Sequence, residues 1–430
     1  MMVQDSPLRK RHESYAGQIR TPPHADVARP GAAQGSQTAP AQVEFIAFGR
    51  SDRPDEVACE IPATFGQLQG EYAAIRKGAG VMDCPHRGTI LITGADRREF
   101  LNRMLTQELK DLAPGKAKPT FWLNRKGRIE SDLLLLELGD RLLVSLDITD
   151  LSQTIKTLNE YIIVEDVQLE DVSSQFHHIA VHGPRASAII AQVADHANFD
   201  LDERQTTTVQ ISDSDVVMVR SDQTGECGLH LVVPISSAEA VWDALLAAEQ
   251  GDNESIRRVR PIGWYAFNTA RIEAGTPLFN VDFAADTLPH ETGVLHDRVS
   301  FTKGCYLGQE IVARIESLGQ PKQQLVGLRM QNDLLPVAEA QVFAQENQRA
   351  LGPQIGLVTS STISPMLGAD CIAFAMLKTA YTTPNTIVTV AAEGEQASAT
   401  VCDRCFYERA SSQAPPPPST APQTNPEDDQ

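Results

Sequence analysis

Short apolar runs alternate with amphipathic stretches through the middle of the chain. Residues 89–93 read as a strand, and Gly94-Ala95-Asp96 turns the chain into a helix over 98–105. Pro114-Gly115 marks a turn before a strand over 120–123, and Asn124-Arg125-Lys126-Gly127 supplies the Asn and Gly that a tight hairpin requires. The run 131–138 is almost wholly apolar and is expected at the centre of a sheet, followed by a strand over 141–146 and a helix over 151–161. The same order then recurs. A strand over 176–181, a helix opened by Gly183-Pro184, strands over 216–220 and 229–233 and a helix over 238–248 make a second unit. Two such units predict a duplicated α+β architecture. From Gln324 the texture changes to short strands over 325–330, 341–343, 354–359, 371–374, 387–390 and 397–401, which predicts a small β-barrel. Gly319-Gln320-Pro321 breaks the preceding helix and sets the boundary near 322–325.

The two ends differ from this core. Residues 1–41 are rich in Pro, Ala, Gln and Ser without hydrophobic periodicity, and 409–430 carry Pro415 to Pro418 and an acidic finish. Both are expected to be disordered, leaving domains over 42–323 and 324–408. The formal net charge of -19, from 37 basic and 56 acidic side chains, argues against non-specific binding of a nucleic-acid backbone. It leaves room for a local basic groove. Seven cysteines lie scattered without framework spacing and read as reduced thiols of a cytosolic protein. Cys402-x-x-Cys405 lacks the second pair that would complete four zinc ligands, and i and i+3 of a strand face opposite ways. His86, His182 and His230 lack metal spacing and read as structural, half-buried residues. No metal site is expected. No apolar run reaches membrane-spanning length and the N-terminus lacks an apolar signal stretch, so a cytoplasmic monomer without membrane contact is expected.

The candidate chemistry centres on Lys303-Gly304-Cys305-Tyr306-Leu307-Gly308-Gln309-Glu310. A thiol acts as nucleophile or ligand only as thiolate, and a nearby cation such as Lys303 favours that form. Flanking glycines permit tight turns and close approach. The pattern reads as a presented cysteine rather than a core one.

This run resembles the hallmark of YgfZ-type folate-binding proteins. Residues from about 70 to 407 are similar to the wider superfamily that joins them to the T-protein (aminomethyltransferase) of glycine cleavage. The likeness is carried by Met82-Asp83-Cys84-Pro85-His86-Arg87-Gly88, the turn and strand 124–133 with Asp132, and His182-Gly183-Pro184. Thr224-Gly225-Glu226, Arg271-Ile272-Glu273-Ala274-Gly275 with Pro277, and Ser364-Pro365 with Leu367-Gly368 extend it. The resemblance implies two ferredoxin-like mixed α/β subdomains plus a C-terminal barrel, arranged as a cloverleaf around a folate channel. It implies tetrahydrofolate or a derivative as cofactor. Glu226 would meet the donor–donor–acceptor edge of the pterin through charge-assisted bonds, and Asp132 would position or deprotonate near the ring nitrogens. Arg271, Tyr306, Gln309 and Glu310 would complete the folate site, with Cys305, Lys303 and Asp132 as the chemical groups. The function so implied is that of an accessory protein for iron-sulfur enzymes such as a tRNA-modifying methylthiotransferase, which would be its clients. The alternative is a one-carbon transferase of the aminomethyltransferase type. Against the T-protein pattern, Arg87 replaces a methionine, Gln223 a tyrosine, His182 a glutamine and Phe267 an arginine.

Overall fold

In the computed structural model, residues 5–18, 42–49, 57–194, 200–248, 259–346 and 350–408 are described here. The first α+β unit forms a five-stranded sheet in the order Ala117–Leu123, Ile129–Glu137, Leu142–Asp147, Arg87–Thr93, Gln168–Asp171. Its neighbours all pair antiparallel. The helices Arg97–Met104 and Leu151–Asn159 complete the unit. The second sheet repeats the plan with Thr206–Ile211, Ser214–Arg220, Gly228–Pro234, Phe176–His182, then Ala79–Asp83 and Val259–Ile262. The first sheet follows the ferredoxin-like order with one strand added at an edge; the second has, besides an edge strand, Ala79–Asp83 lying between Phe176–His182 and Val259–Ile262.

The duplication has one irregularity that no local pattern announces. Ala79–Asp83 precedes both units in sequence, yet it inserts into the second sheet, antiparallel to Phe176–His182 and parallel to Val259–Ile262. The next strand, Arg87–Thr93, belongs to the first sheet. Residues 84–86 therefore bridge the two layers. The apolar strand Ile129–Glu137 was expected at the centre of its sheet; it lies inside, second from an edge.

Alternation along the strands sorts side chains between two environments. Leu133, Leu135, Leu142, Val144 and Leu146 pack under the helices of the first unit, and Leu229, Leu231, Val233, Ile179 and Val181 under those of the second. The opposite faces meet each other through Leu136, Leu143, Val217, Val219 and Val232. Burying one such side chain is worth about 1.5–3 kcal/mol, so each apolar half of the alternation holds its strand in register. Six strands, Gln323–Met330, Ala350–Ser364, Asp370–Lys378, Gln341–Glu346, Ile387–Ala392 and Glu395–Cys402, close the C-terminal barrel.

Part of the N-terminal segment expected to be disordered is ordered. Arg9–Gln18 is a helix, preceded by a buried Leu8. Ser6 Oγ donates to Asp83 Oδ2 at 2.6 Å, and His12 Nε2 lies 2.7 Å from the same oxygen. His177 Nε2 meets Oδ1 at 2.6 Å. Besides Ser6 and His12, Arg9 pairs with Glu60, and Leu8 and Tyr15 pack on the core of the second unit. Scattered contacts rather than an apolar stripe hold this segment, which is why its periodicity is silent. The rest of 1–41, and all of 409–430, lie outside the described residues. Cys405 follows the last barrel strand rather than continuing it, so the opposite-faces argument does not apply to Cys402 and Cys405.

Candidate functional site

A cavity of about 300 Å³ lies between the two sheets, under the connection 275–298 and the segment after the last barrel strand. Period-two alternation places its polar lining. In Phe176–His182 the apolar Ile179 and Val181 face the helices, which turns His178 and His182 to the cavity. His230 comes from the adjacent strand by the same rule, and Asp132, Arg87, Ser145 and Asp147 come from the first sheet. Trp264 and Phe267 project from the helix Trp264–Glu273.

One wall is aromatic. Six rings run in sequence, with centroids 5.0 Å apart for Phe48–His86, 6.0 Å for His86–Trp264, 5.7 Å for Trp264–Phe267, 5.3 Å for Phe267–His182 and 5.4 Å for His182–His230. All six line the cavity. Burial pushes the imidazoles toward the neutral form: His86 falls to about 3 and His230 to about 4, with the Arg87 charge adding to the effect in both. His178 and His182 fall well below the ordinary value for the same first reason. His182 is 0% exposed, and neither of its ring nitrogens has a partner; His86 Nδ1 and His230 Nε2 also lack one. The expectation of ordinary, satisfied histidines is therefore corrected. Among the described residues no group of three His, Cys, Asp or Glu side chains is disposed to hold a metal.

The facing wall is ionic. Arg298 Nε donates to Asp132 Oδ1 at 2.9 Å, Arg298 also pairs with Asp297, and Arg204 Nη2 donates to both Asp297 oxygens at 2.8 and 3.0 Å. Burial opposes the Arg298 charge, but Asp132 and Asp297 outweigh it and raise its pKa. Arg404 reaches in from the segment after the barrel, donating to the carbonyls of Gly275 and Gly293.

Of the residues expected to form the site, Asp132 lines this cavity and Glu226, Arg271, Lys303, Cys305, Tyr306, Gln309 and Glu310 do not. Glu226 is 4% exposed and lies 3.9 Å from Arg76, away from the lining, so the expected grip on a ring edge is not what its position offers. Arg271 is locked in the core. Its Nη1 donates to Asp282 Oδ2 at 2.6 Å, Nη2 to Ser360 Oγ at 2.7 Å and Nε to Asn268 Oδ1 at 2.9 Å, which ties the helix to the barrel.

The cysteine run also departs from expectation. Cys305 is exposed and lies outside the cavity. Lys303 is buried, and its Nζ donates to the carbonyls of Asn102, Leu105 and Gln107 at 2.7, 2.8 and 2.7 Å. An ammonium has three protons, and all three are used at the end of the helix Arg97–Met104 and in the turn after it rather than on the thiol. Tyr306 is buried among Phe121, Phe279, Phe283 and Val312, Gln309 Oε1 accepts from Tyr306 N at 3.3 Å, and Glu310 is exposed. Gly308 adopts a left-handed conformation with φ 80°, where an added Cβ would come within 2.6 Å of Asn124 O. The run is thus a loop docked on the 124–127 hairpin, with its sulfur facing outward.

The imidazole face had no functional reading in the sequence, which did not mark Trp264, Arg298 or Arg404 either. Alternation in 176–182 and 228–234 carried a signal for His178, His182 and His230; nothing local marked the other three.

A family model described as the GCVT N-terminal domain matches residues 37–303, and one described as the glycine cleavage T-protein C-terminal barrel domain matches 323–408. Proteins named aminomethyltransferase are similar along most of their length. That of Listeria monocytogenes is 30% identical over 360 residues, 82% of this chain and 92% of its own. That of Exiguobacterium sibiricum is 28% identical over 356 residues, 83% of this chain and 93% of its own. The crystal structure of glycine cleavage system aminomethyltransferase T from Bartonella henselae shares the fold, with a TM-score of 0.77 at 24% identity, covering 94% of this chain and 98% of that one. These names favour the aminomethyltransferase alternative over the YgfZ-type reading of the sequence. The chain belongs to the glycine cleavage T-protein (GCVT) family.

Proposed function

We propose that this protein binds tetrahydrofolate or a derivative in the inter-sheet cavity and transfers a one-carbon unit to it from an amino-methyl donor. One observation carries the reading: a continuous aromatic wall faces the chain Arg204–Asp297–Arg298–Asp132 across a cavity of about 300 Å³. A flat, electron-rich ring gains by stacking on such a wall, and a ligand with polar nitrogens gains by meeting the ionic one. Asp132, held by Arg298, positions the ring nitrogens and accepts a ring N–H proton as the new carbon–nitrogen bond forms, while the donor's own carbon–nitrogen bond breaks and its nitrogen leaves, protonated, as the amine. The aromatic wall keeps water from that bond. The name shared by the relatives supports the reaction class.

Calorimetric titration of the purified protein with tetrahydrofolate tests the site. Phe267→Ala should weaken binding by about tenfold, in line with the stacking energy of an aromatic contact. Asp132→Asn should bind with little change yet lower one-carbon transfer by about 100-fold, the usual scale for a lost general base. Wild-type protein that takes up no tetrahydrofolate sinks the proposal.

The outward-facing Cys305, on a loop whose Gly304 has nothing within 4 Å of an added Cβ, favours a second reading. There the folate site serves an accessory role toward iron-sulfur enzymes of the cytoplasm, as in YgfZ-type proteins. Cys305→Ser separates the two. Transfer activity that survives the change supports the first reading, and loss of iron-sulfur enzyme function with tetrahydrofolate affinity intact supports the second.

A further inference from the structure

Among the described residues, one guanidinium lining the cavity has neither a carboxylate nor a backbone carbonyl as partner. Arg87 opens the strand Arg87–Thr93 and is half-buried, lining the cavity with its open side. Its Nε and Nη2 both donate to a single hydroxyl, Ser145 Oγ, at 3.2 and 2.9 Å. No carboxylate among the described residues forms an ion pair with it. The acids that act on it from a distance are Asp147 and Asp132, and both are committed elsewhere. Asp147 Oδ1 accepts from Thr149 N at 2.9 Å and Thr149 Oγ1 at 2.7 Å, while Asp132 accepts from Arg298.

The groups around Arg87 offer it no countercharge. Burial, with the Arg87 charge adding to it, pushes His86, His178 and His230 toward the neutral form. The contrast with the other cavity guanidinium groups is informative. Arg204 and Arg298 share Asp297, and Arg404 is spent on two backbone carbonyls. A cation removed from water without a partner is an expensive arrangement. A bound anion removes the expense. The planar guanidinium matches a carboxylate better than any other common group, because two parallel N–H donors meet two oxygens.

We propose that Arg87 is the carboxylate receptor of this cavity and sets its preference for ligands that place a carboxylate within reach of the aromatic wall. Under the folate reading, on which this assignment of the source rests, the carboxylate belongs either to the glutamyl tail of the folate or to an amino-acid donor bound beside the ring. Arg87 also accounts for a change of plan relative to the T-protein pattern. The guanidinium absent at Phe267, on the helix Trp264–Glu273, is matched by one gained at 87, on the first sheet, so the positive pole of the cavity has moved rather than vanished.

Calorimetry on the full chain with Arg87→Met tests this, and Arg87→Lys, which keeps the charge but loses the fork, guards against a folding defect. The probes are tetrahydrofolate, 6-methyltetrahydropterin (the ring without a carboxylate), benzoate, and glycine added to protein saturated with tetrahydrofolate. We expect R87M to weaken tetrahydrofolate by about 10- to 100-fold, the value of a charge-assisted pair, with 6-methyltetrahydropterin unchanged and R87K intermediate. If tetrahydrofolate is unaffected and glycine binding is lost instead, the carboxylate is that of a second molecule and Arg87 keeps its role. Should neither pteridine bind the wild-type protein while benzoate binds it and not R87M, the folate reading fails and the receptor stands. Equal affinities of wild type and R87M for every carboxylate overturn the proposal. So does an equal loss for tetrahydrofolate and 6-methyltetrahydropterin.

Discussion

Lys303→Met offers the sharpest check on how the cysteine loop is built. In the structure the ammonium holds three carbonyls, two of them at the end of the helix Arg97–Met104 and one in the turn that follows. Helix-terminal carbonyls have no partner within their own helix. Each bond to a charged donor contributes about 1.5–3 kcal/mol net. Three would sum to roughly 4–9 kcal/mol, but burying the ammonium offsets part of this. Burial lowers the Lys303 pKa to about 8, still high enough to keep it charged at neutral pH. We expect K303M to lose about 2–4 kcal/mol of stability, measured by urea unfolding at pH 7. The Cys305 thiol, titrated with a disulfide reagent across pH 6–10, should keep its wild-type profile, since no proton of Nζ is left for the sulfur. A K303M protein of unchanged stability whose thiol titrates at higher pH would refute this reasoning and make Lys303 an activator of Cys305.

Two further outcomes follow from buried charge. The cavity imidazoles titrate in the folded state at about 3 for His86 and about 4 for His230, against 6.5 unfolded. The unfolded chain therefore binds more protons in that interval, and stability is complete above pH 6.5 and falls as pH drops toward 4 and then 3. The slope is up to about 1.4 kcal/mol per pH unit for each imidazole; thermal midpoints from pH 8 to 4 that stay level would contradict it. Arg271→Met leaves Asp282 buried with its guanidinium partner gone and should cost about 3–5 kcal/mol. Urea unfolding should show the loss, while tetrahydrofolate affinity, read by calorimetry, should change little because Arg271 lies outside the cavity.

Local pattern determined a good deal about this protein. The two α+β units, the hairpin at Asn124–Gly127, the six barrel strands and the break before the barrel all follow from nearest-neighbour preferences and from alternation that a strand imposes on its own side chains. Asp132 was visible through the family resemblance, and alternation against the helix-packed Leu133 and Leu135 turns it to the other face. Only tertiary structure decided what the alternate faces meet. The insertion of Ala79–Asp83 into the second sheet carries residues 84–87 across the gap between layers, and that crossing brings His86 and Arg87 to a cavity shared with His182 and His230. Lys303 shows the other side of the same limit. Proximity in sequence suggested a partner for Cys305, but a long side chain goes where unsatisfied carbonyls are, and those come from residues about 200 positions earlier. Pairing across such distances depends on how whole layers pack, and no window of sequence contains that information.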